Sequence, residues 1–305
     1  MKIVALAGGV GGAKLAHGLA QILHPKDLTV IVNTGDDFEH YGLYISPDLD
    51  TVCYTLAELA NPETGWGRKN ESWQAIENAK ALGGPGWFNL GDQDLGTHLE
   101  RTRRMKAGQT LSQVTRDFCK AWGIKPTVLP MSDQAVRTMV ATREYGELPF
   151  QEYFVHHKCE PTVQGFRFEG ADMAEAAPGV QDALQAADAI VICPSNPWVS
   201  VDPILHVIQT PKHKPVVTVS PIINGKTVKG PAAKMYAELG IQPSALAVAK
   251  HYRTVLTGFV LDTLDADLAD KISLPTLTTD TLMTTLTDRA RLAEDVLHFI
   301  RRINL

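Results

Sequence analysis

Four aspartates are concentrated in one short segment of the chain, directly after a predicted strand. They are Asp36, Asp37, Asp48 and Asp50. Carboxylates at this density would repel an anionic ligand unless a divalent cation lay between them, and Mg²⁺ takes carboxylate, water and phosphate oxygens. We therefore expect at least two of the four to bind Mg²⁺, with Asp37 and Asp50 as first choices. The alternative is that Asp48 or Asp50 caps a helix predicted over residues 51–59.

The anionic ligand is predicted from a glycine-rich turn earlier in the chain. Residues 8–16 read GGVGGAKLA, between a predicted strand and a predicted helix. Such a turn lets the backbone approach a ligand, and a helix N-terminus favours an anion. The stretch matches neither the full dinucleotide fingerprint nor a P-loop, because Lys14 occupies the third glycine position and no Gly-Lys-Ser/Thr follows. Its topology favours a phosphate role for Gly9, Gly11 and Gly12, with Lys14 as a cationic contact; the alternative is a tight turn without a ligand.

A third polar segment combines aromatic and acidic residues. Trp87 and Phe88 precede Asp92, Asp94 and His98. The last three could contact a polar substrate from a loop and one helical face. Core packing explains each aromatic residue equally well, and capping explains Asp94.

Two further polar loops follow predicted strands in the second half of the chain. Their polar residues are Ser195, Asn196 and Ser200 in the first loop, and Ser220, Asn224, Lys226, Lys229 and Lys234 in the second. Open α/β sheets bind ligands at the carboxyl ends of their strands, so both loops are candidate ligand contacts. The chain has no GxSxG elbow and no HExxH spacing, so a covalent intermediate is not indicated.

The elements that must position these residues follow a β-α-β pattern. Strands are predicted over residues 2–7, 28–33, 136–142, 154–156, 163–168, 189–193, 216–220 and 256–261. Helices are predicted over residues 13–23, 51–59, 71–82, 96–105, 111–122, 180–187, 203–208 and 287–300, with another opening at Gly230-Pro231. We expect one Rossmann-like α/β domain over residues 1–305, with a doubly wound, mostly parallel sheet. A helical insertion at about 61–123 and a small β-rich excursion at about 136–170 would interrupt it.

Composition excludes several classes of protein. The 305 residues are 44% hydrophobic and 21% charged, which excludes a disordered chain. The net charge of −5 argues against a broad nucleic-acid-binding face. Four separated cysteines and the lack of a long apolar run predict a cytoplasmic protein that is not bound to a membrane.

Six blocks, taken in order, resemble the 2-phospho-L-lactate transferase family of coenzyme F420 biosynthesis. The blocks are GGVGGAKLA, NTGDDFEHYGLYISPDLDT, NLGDQDLGTHLERT, SDQAVRTMV, CPSNPWVSVDPIL and SPIINGKTVKGPAAKMY. Six ordered blocks are far more specific than one glycine-rich turn. They span most of the chain, from Gly8 to Tyr236.

The resemblance implies a definite reaction. Family members transfer the phospho-acid portion of a guanosine diphosphate ester, lactyl or enolpyruvyl, to the terminal ribityl hydroxyl of the deazaflavin Fo. The transfer requires Mg²⁺, releases GMP and forms a phosphodiester. Members have a Rossmann-like core and are typically homodimers.

The resemblance also implies roles for individual residues. Asp37 and Asp50 would hold Mg²⁺, and Asp36 or Asp92 could act as a base. The residues expected to meet the diphosphate are Gly9, Gly11, Gly12, Lys14, Ser195 and Asn196, and Asn33 is a further ligand-binding candidate. Ser220, Asn224 and Lys229 would lie on the guanosine side. The deazaflavin would bind around Asp92 and residues 87–98, with Trp66 as a candidate stacking partner.

Two rival interpretations remain open on sequence grounds. A non-catalytic protein of the same fold would bind a nucleotide sugar and would not need Asp50. A nicotinamide-dependent oxidoreductase is indicated by the glycine-rich turn alone, and the aspartate cluster and the missing third glycine count against it.

Overall fold

The computed structural model describes residues 1–303, in which strands and helices alternate as the sequence predicts. The strands are β1 (Ile3–Ala7), β2 (Leu28–Val32), β3 (Phe38–His40), β4 (Leu43–Ile45), β5 (Thr127–Pro130), β6 (Arg137–Thr142), β7 (Gly146–Pro149), β8 (Val163–Glu169), β9 (Ala189–Ile192), β10 (Val216–Val219), β11 (Ile222–Ile223), β12 (Lys226–Thr227), β13 (Gly258–Asp262) and β14 (Thr276–Thr279). The α-helices are α1 (Gly9–Ile22), α2 (Pro47–Leu56), α3 (Gln74–Ala81), α4 (Asp92–Lys106), α5 (Leu111–Ala121), α6 (Val180–Ala186), α7 (Asp202–Val207), α8 (Ala232–Glu238), α9 (Ala245–His251) and α10 (Leu286–Ile303).

Seven parallel strands form the central sheet, in the order β14-β13-β10-β9-β1-β2-β5. From β1 the chain runs outward through β2 to β5, then returns to build the other half from β9. The strand order therefore reverses between β1 and β9, and open α/β sheets bind ligands at such a switch point. The expected Rossmann-like, doubly wound α/β fold is confirmed.

The central strands β1, β2, β9 and β10 are buried on both faces because they are almost entirely apolar. Along β1, Val4 and Leu6 belong to one hydrophobic cluster, whereas Ile3, Ala5 and Ala7 belong to the other. Helices α1, α2 and α10 contribute to the second cluster, while α6 to α9 contribute to the first. Alternate side chains of an extended strand point to opposite faces, so each strand serves both layers.

Smaller elements extend the core at the carboxyl edge of the sheet. Helices α3, α4 and α5 occupy the segment between β2 and β5, where the sequence predicts helices. Strands β7-β6-β8 form an antiparallel sheet, and β3 pairs with β4 in a short hairpin. Among residues 1–303, no helix combines the length and apolar character needed to cross a bilayer.

The predicted strand over residues 154–156 is wrong. These residues lie in a single π-helical turn, Glu152–His156. Phe150 and Phe154 stack with their ring centroids 5.4 Å apart. A helical backbone brings residues four apart onto one face. Aromatic residues favour a strand in the sequence, but here Phe150 and Phe154 pack against each other across a helical turn.

Candidate functional site

A cavity of about 680 Å³ opens at the switch point between β1 and β9. Its walls come from the loops after β1, β9 and β10 and from helices α2 and α4. This is the location expected for a ligand in a doubly wound sheet.

The glycine-rich turn and the loop after β9 meet at the base of this cavity. A side chain at Gly11 would overlap the carbonyl oxygen of Pro194, and one at Gly12 would overlap Ser195 Oγ. Ser195 Oγ donates to the carbonyl oxygen of Gly8 at 2.8 Å, which ties the two loops together. The glycines thus permit a close backbone approach that places the N-terminus of α1 against the cavity.

Positive charge gathers on the same side of the cavity. Lys14 and Lys229 both line it. Lys14 Nζ donates to the carbonyl oxygen of Met283 at 2.7 Å, and Lys229 Nζ donates to that of Thr64. Burial, followed by repulsion from Arg289 and Lys229, lowers the pKa of Lys14. Lys14 and Lys229 repel each other beside a helix N-terminus, and this excess of positive charge is a suitable environment for an anion.

Two buried carboxylates lie beside the glycine-rich turn. Asp48 Oδ1 accepts from the backbone N–H of Gly9 at 2.6 Å. The Asn33 side-chain amide donates to both carboxylates, at 2.9 Å to Asp48 and 3.1 Å to Asp36. Gln151 donates to the other oxygen of Asp36 at 3.0 Å. The two carboxylates are therefore held together by neutral donors, and both line the cavity.

Ionisation of these carboxylates is disfavoured without a cation. Burial raises the pKa of Asp48 to about 6. Burial, and next the repulsion from Asp48 and Asp37, raises the pKa of Asp36 well above its usual value. Burial also raises the pKa of Asp37 to about 7. Buried carboxylates that repel one another are the donor set expected for a divalent cation.

Asp50 has a different environment, because Arg101 already neutralises it. The guanidinium of Arg101 donates to both oxygens of Asp50, and both side chains are buried. Burial disfavours the charged guanidinium, but Asp50 outweighs this effect and raises the pKa of Arg101. A bidentate pair of this kind orients the carboxylate and supplies its counter-charge.

His98 and Asp94 complete this end of the cavity. Single atoms of Asp50, Asp94 and His98 lie within 4.8 Å of one another, and such a trio could hold a metal ion. Tyr54 donates its hydroxyl to Asp94 Oδ1 at 2.6 Å. Arg101 Nη1 lies 3.2 Å from His98 Nδ1. The Arg101 guanidinium thus already contacts Asp50 and His98, two members of this trio.

Most of the residues expected to bind ligand do line the cavity. They are Gly9, Gly11, Lys14, Asp50, Ser195, Asn196, Ser220 and Lys229. Trp66, the candidate stacking partner, lines it as well and is 50% exposed. Phe88 and Phe154 form part of the same wall. The structure therefore brings the polar loops together at one site.

Other expected site residues lie outside the cavity lining: Asn33, Asp37, Asp92, Asn224 and Gly12. Asp92 is directed to solvent and accepts from Ser72 and from the backbone N–H groups of Gln74 and Ala75, so it caps α3. Asn224 donates its backbone N–H to Asp265 at 2.9 Å. One carboxylate oxygen of Asp37 accepts from Ser46 Oγ at 2.8 Å, and the other is buried with no hydrogen-bond partner in the part of the chain that the structure describes.

Sequence reasoning did not single out Arg101, Tyr54 or Gln151. The spacing of Asp94, His98 and Arg101 on one helix carries a signal, because residues three and four apart share a face. Gln151 carries no such signal, since it meets Asp36 only through tertiary contact.

The chain is similar to known proteins over most of its length. The family model described as 2-phospho-L-lactate transferase CofD matches residues 3–299. A phosphoenolpyruvate transferase from Streptomyces griseus is 45% identical over 282 residues, covering 89% of each chain. A 2-phospho-L-lactate transferase from Methanopyrus kandleri is 39% identical over 311 residues, covering 99% of each chain.

A solved structure shares the fold at much lower identity. A protein of the UPF0052 family from Bacillus halodurans superposes with a TM-score of 0.63 at 15% identity, covering 97% of this chain and 98% of the other. That likeness concerns the fold alone. The family match over nearly the whole chain identifies the class of enzyme: the chain is a transferase that belongs to the 2-phospho-L-lactate transferase CofD family.

Proposed function

We propose that this transferase moves a phospho-acid group from a guanosine diphosphate ester to the terminal ribityl hydroxyl of the deazaflavin Fo. The hydroxyl oxygen attacks the phosphorus that bears the three-carbon acid, the bond between the two phosphates breaks, and GMP leaves. The hydroxyl proton passes to a base or to water. The product is a phosphodiester, as expected for a step of coenzyme F420 biosynthesis.

The observation that carries this proposal is the composition of one cavity. It joins the N-terminus of α1 and two lysines to a pair of buried carboxylates, and it continues to an aromatic and polar end. The first part suits a diphosphate, and the last suits a flat ring with a hydroxylated chain. Neither a covalent nucleophile nor a bound coenzyme is required, because such a displacement depends on positioning and charge neutralisation.

We propose Asp36 and Asp48 as the residues that would hold Mg²⁺, in place of the first choices Asp37 and Asp50. Asp36 and Asp48 line the cavity beside the glycine-rich turn. Burial raises the pKa of both carboxyls, and repulsion from Asp48 and Asp37 raises that of Asp36 further. Asp50 is paired with Arg101, and Asp37 lies outside the lining. When bound, the ion would neutralise charge that develops on the diphosphate.

The polypeptide itself would orient both substrates. The α1 N-terminus, Lys14 and Ser195 would meet the diphosphate, and Ser220 and Lys229 would lie on the guanosine side. Trp66 and Phe88 would contact the deazaflavin ring. We further propose that the chain assembles as a homodimer in the cytoplasm, as its family resemblance implies; light scattering at twice the chain mass would support the dimer.

The identity of the acid is best assigned from the relatives. The five relatives at 42–45% identity are named phosphoenolpyruvate transferases, whereas the 2-phospho-L-lactate transferase is 39% identical. This favours the enolpyruvyl donor over the lactyl donor.

The test is incubation of the purified protein with Fo, Mg²⁺ and each guanosine diphosphate ester, with products followed by mass. We expect consumption of Fo, release of GMP and faster turnover of the enolpyruvyl ester. Unmodified Fo after prolonged incubation, in a preparation where a relative of known activity turns over, would contradict the proposal.

A further inference from the structure

His98 is buried deep in the cavity wall yet keeps one ring nitrogen without a partner. The residue is 1% exposed, and it lines the cavity from the middle of α4. Its Nε2 is buried and makes no hydrogen bond with any of residues 1–303. Asp94 Oδ1 lies 3.4 Å from Nε2 and already accepts from Tyr54.

Arg101 fixes which ring nitrogen of His98 carries the proton. Arg101 Nη1 lies 3.2 Å from Nδ1. A guanidinium has only donors, so Nδ1 must be the acceptor of this contact. In the neutral ring the proton then resides on Nε2. The ring of this cavity-lining residue therefore carries its N–H donor on Nε2, the nitrogen that has no hydrogen-bond partner among the described residues.

The charges around this donor select the kind of group it can bind. Asp50 and Asp94 carry two negative charges, and Arg101 supplies one positive charge. Contact with His98, with Tyr54 and with Arg101 outweighs the effect of burial and lowers the pKa of Asp94. An anionic group would meet net negative charge here. A hydroxyl is neutral, accepts from Nε2–H and donates to a carboxylate, so it satisfies both neighbours.

We propose that His98, held as the Nε2–H tautomer by Arg101, binds a hydroxyl of the acceptor substrate's polyol chain, with Asp94 or Asp50 accepting that hydroxyl's proton in a hydrogen bond. The inference rests on the proposed function, which supplies the ribityl chain. It assigns to His98 recognition of the acceptor and no contact with the guanosine diphosphate ester.

Two substitutions distinguish the contribution of Nε2 from that of Nδ1. His98→Asn keeps a polar group near the Nδ1 position and loses the donor at Nε2, whereas His98→Gln keeps an amide donor near Nε2. We expect His98→Asn to raise the Kd for Fo at least tenfold in calorimetric titrations, with the Kd for GDP unchanged within twofold. We expect His98→Gln to stay within threefold of wild type for both ligands.

A substrate analogue and a spectrum complete the test. An Fo analogue with an ethyl group in place of the ribityl chain should bind wild type and His98→Asn equally. Nitrogen-15 shifts of the labelled imidazole should report the Nε2–H tautomer in the free protein and a change at Nε2 when Fo binds. If His98→Asn fails to fold, this spectrum decides the question.

Three results would overturn the inference. They are an Nδ1–H tautomer, an Nε2 signal that Fo does not change, and unaltered Fo affinity in folded His98→Asn. If wild type itself binds no Fo, the proposed function fails and this inference fails with it. Normal wild-type binding with an unaltered variant overturns the inference alone.

Discussion

Arg101 and Asp50 form a buried bidentate ion pair although they lie 51 positions apart in the chain. The pair joins α4 to the first turn of α2, and Arg101 Nη1 also reaches the carbonyl oxygen of Tyr44 at 3.4 Å. It therefore links α4 to the aspartate-rich segment over residues 36–50. Removing one partner would leave the other as an uncompensated buried charge.

Arg101→Met should lower the free energy of unfolding by about 3–5 kcal/mol, since it strands the Asp50 carboxylate in the protein interior. Urea denaturation measures this loss. Arg103→Met is the matched control, because Arg103 is exposed on the same helix and pairs with Glu100. An exposed pair contributes at most about 1 kcal/mol. Equal losses in the two variants would contradict the importance of the buried pair.

Asp48→Asn should reduce transfer at least about 100-fold, because neutralisation of diphosphate charge by a metal ion contributes several kcal/mol to a transition state. The same variant should lose the rise in melting temperature that Mg²⁺ gives the wild type. Asp37→Asn is the control and should keep that response. If Asp37→Asn loses the response and Asp48→Asn keeps it, Asp37 binds the ion, as the sequence predicts, and Asp48 does not.

The metal-free protein should become less stable than its Asp48→Asn variant as the pH rises. The folded-state pKa of Asp48 is raised to about 6, above its unfolded value of about 4. The folded form therefore binds more protons, so the stability that the protonated carboxyl contributes is present at low pH and lost as the pH rises through about 6.

Urea denaturation in the presence of a chelator at pH 4.5, 6 and 7.5 measures this difference. The slope for one carboxylate cannot exceed about 1.4 kcal/mol per pH unit. A difference between wild type and variant that stays constant over this range would refute the uncompensated burial of Asp48.

Gly12→Ala should destabilise the fold by about 1–3 kcal/mol and weaken nucleotide binding, because the new methyl group overlaps Ser195 Oγ and lies only 3.3 Å from Ala7 Cα. Gly96→Ala provides the control, since a methyl group there meets nothing within 4 Å in the middle of α4. That change should stabilise the protein by about 0.5–1 kcal/mol through helix propensity. Thermal unfolding of both variants tests the pair, and a neutral Gly12→Ala would disprove the close approach of the two loops.

The predicted core elements were found because their patterns are local. Continuous apolar runs predict β1, β2, β9 and β10, which are buried on both faces. The edge strands β5 and β14 escaped prediction, since each includes exposed residues and has no sustained apolar run. The start of α2 was placed four residues late, because Pro47 opens the helix and brings both Asp48 and Asp50 into its first turn.

The sequence by itself determined that a glycine-rich turn, an aspartate-rich segment and polar loops follow strands of a parallel sheet and so lie at one edge, since parallel strands end at one edge. It also carried the six blocks that resemble the family. Only the tertiary structure decided the roles of the four aspartates, because identical side chains in one segment have indistinguishable local patterns. Asp50 meets Arg101, while Asp36 and Asp48 share Asn33 beside the glycine-rich turn. Burial and distant partners, which no local pattern encodes, set the charge of each carboxylate.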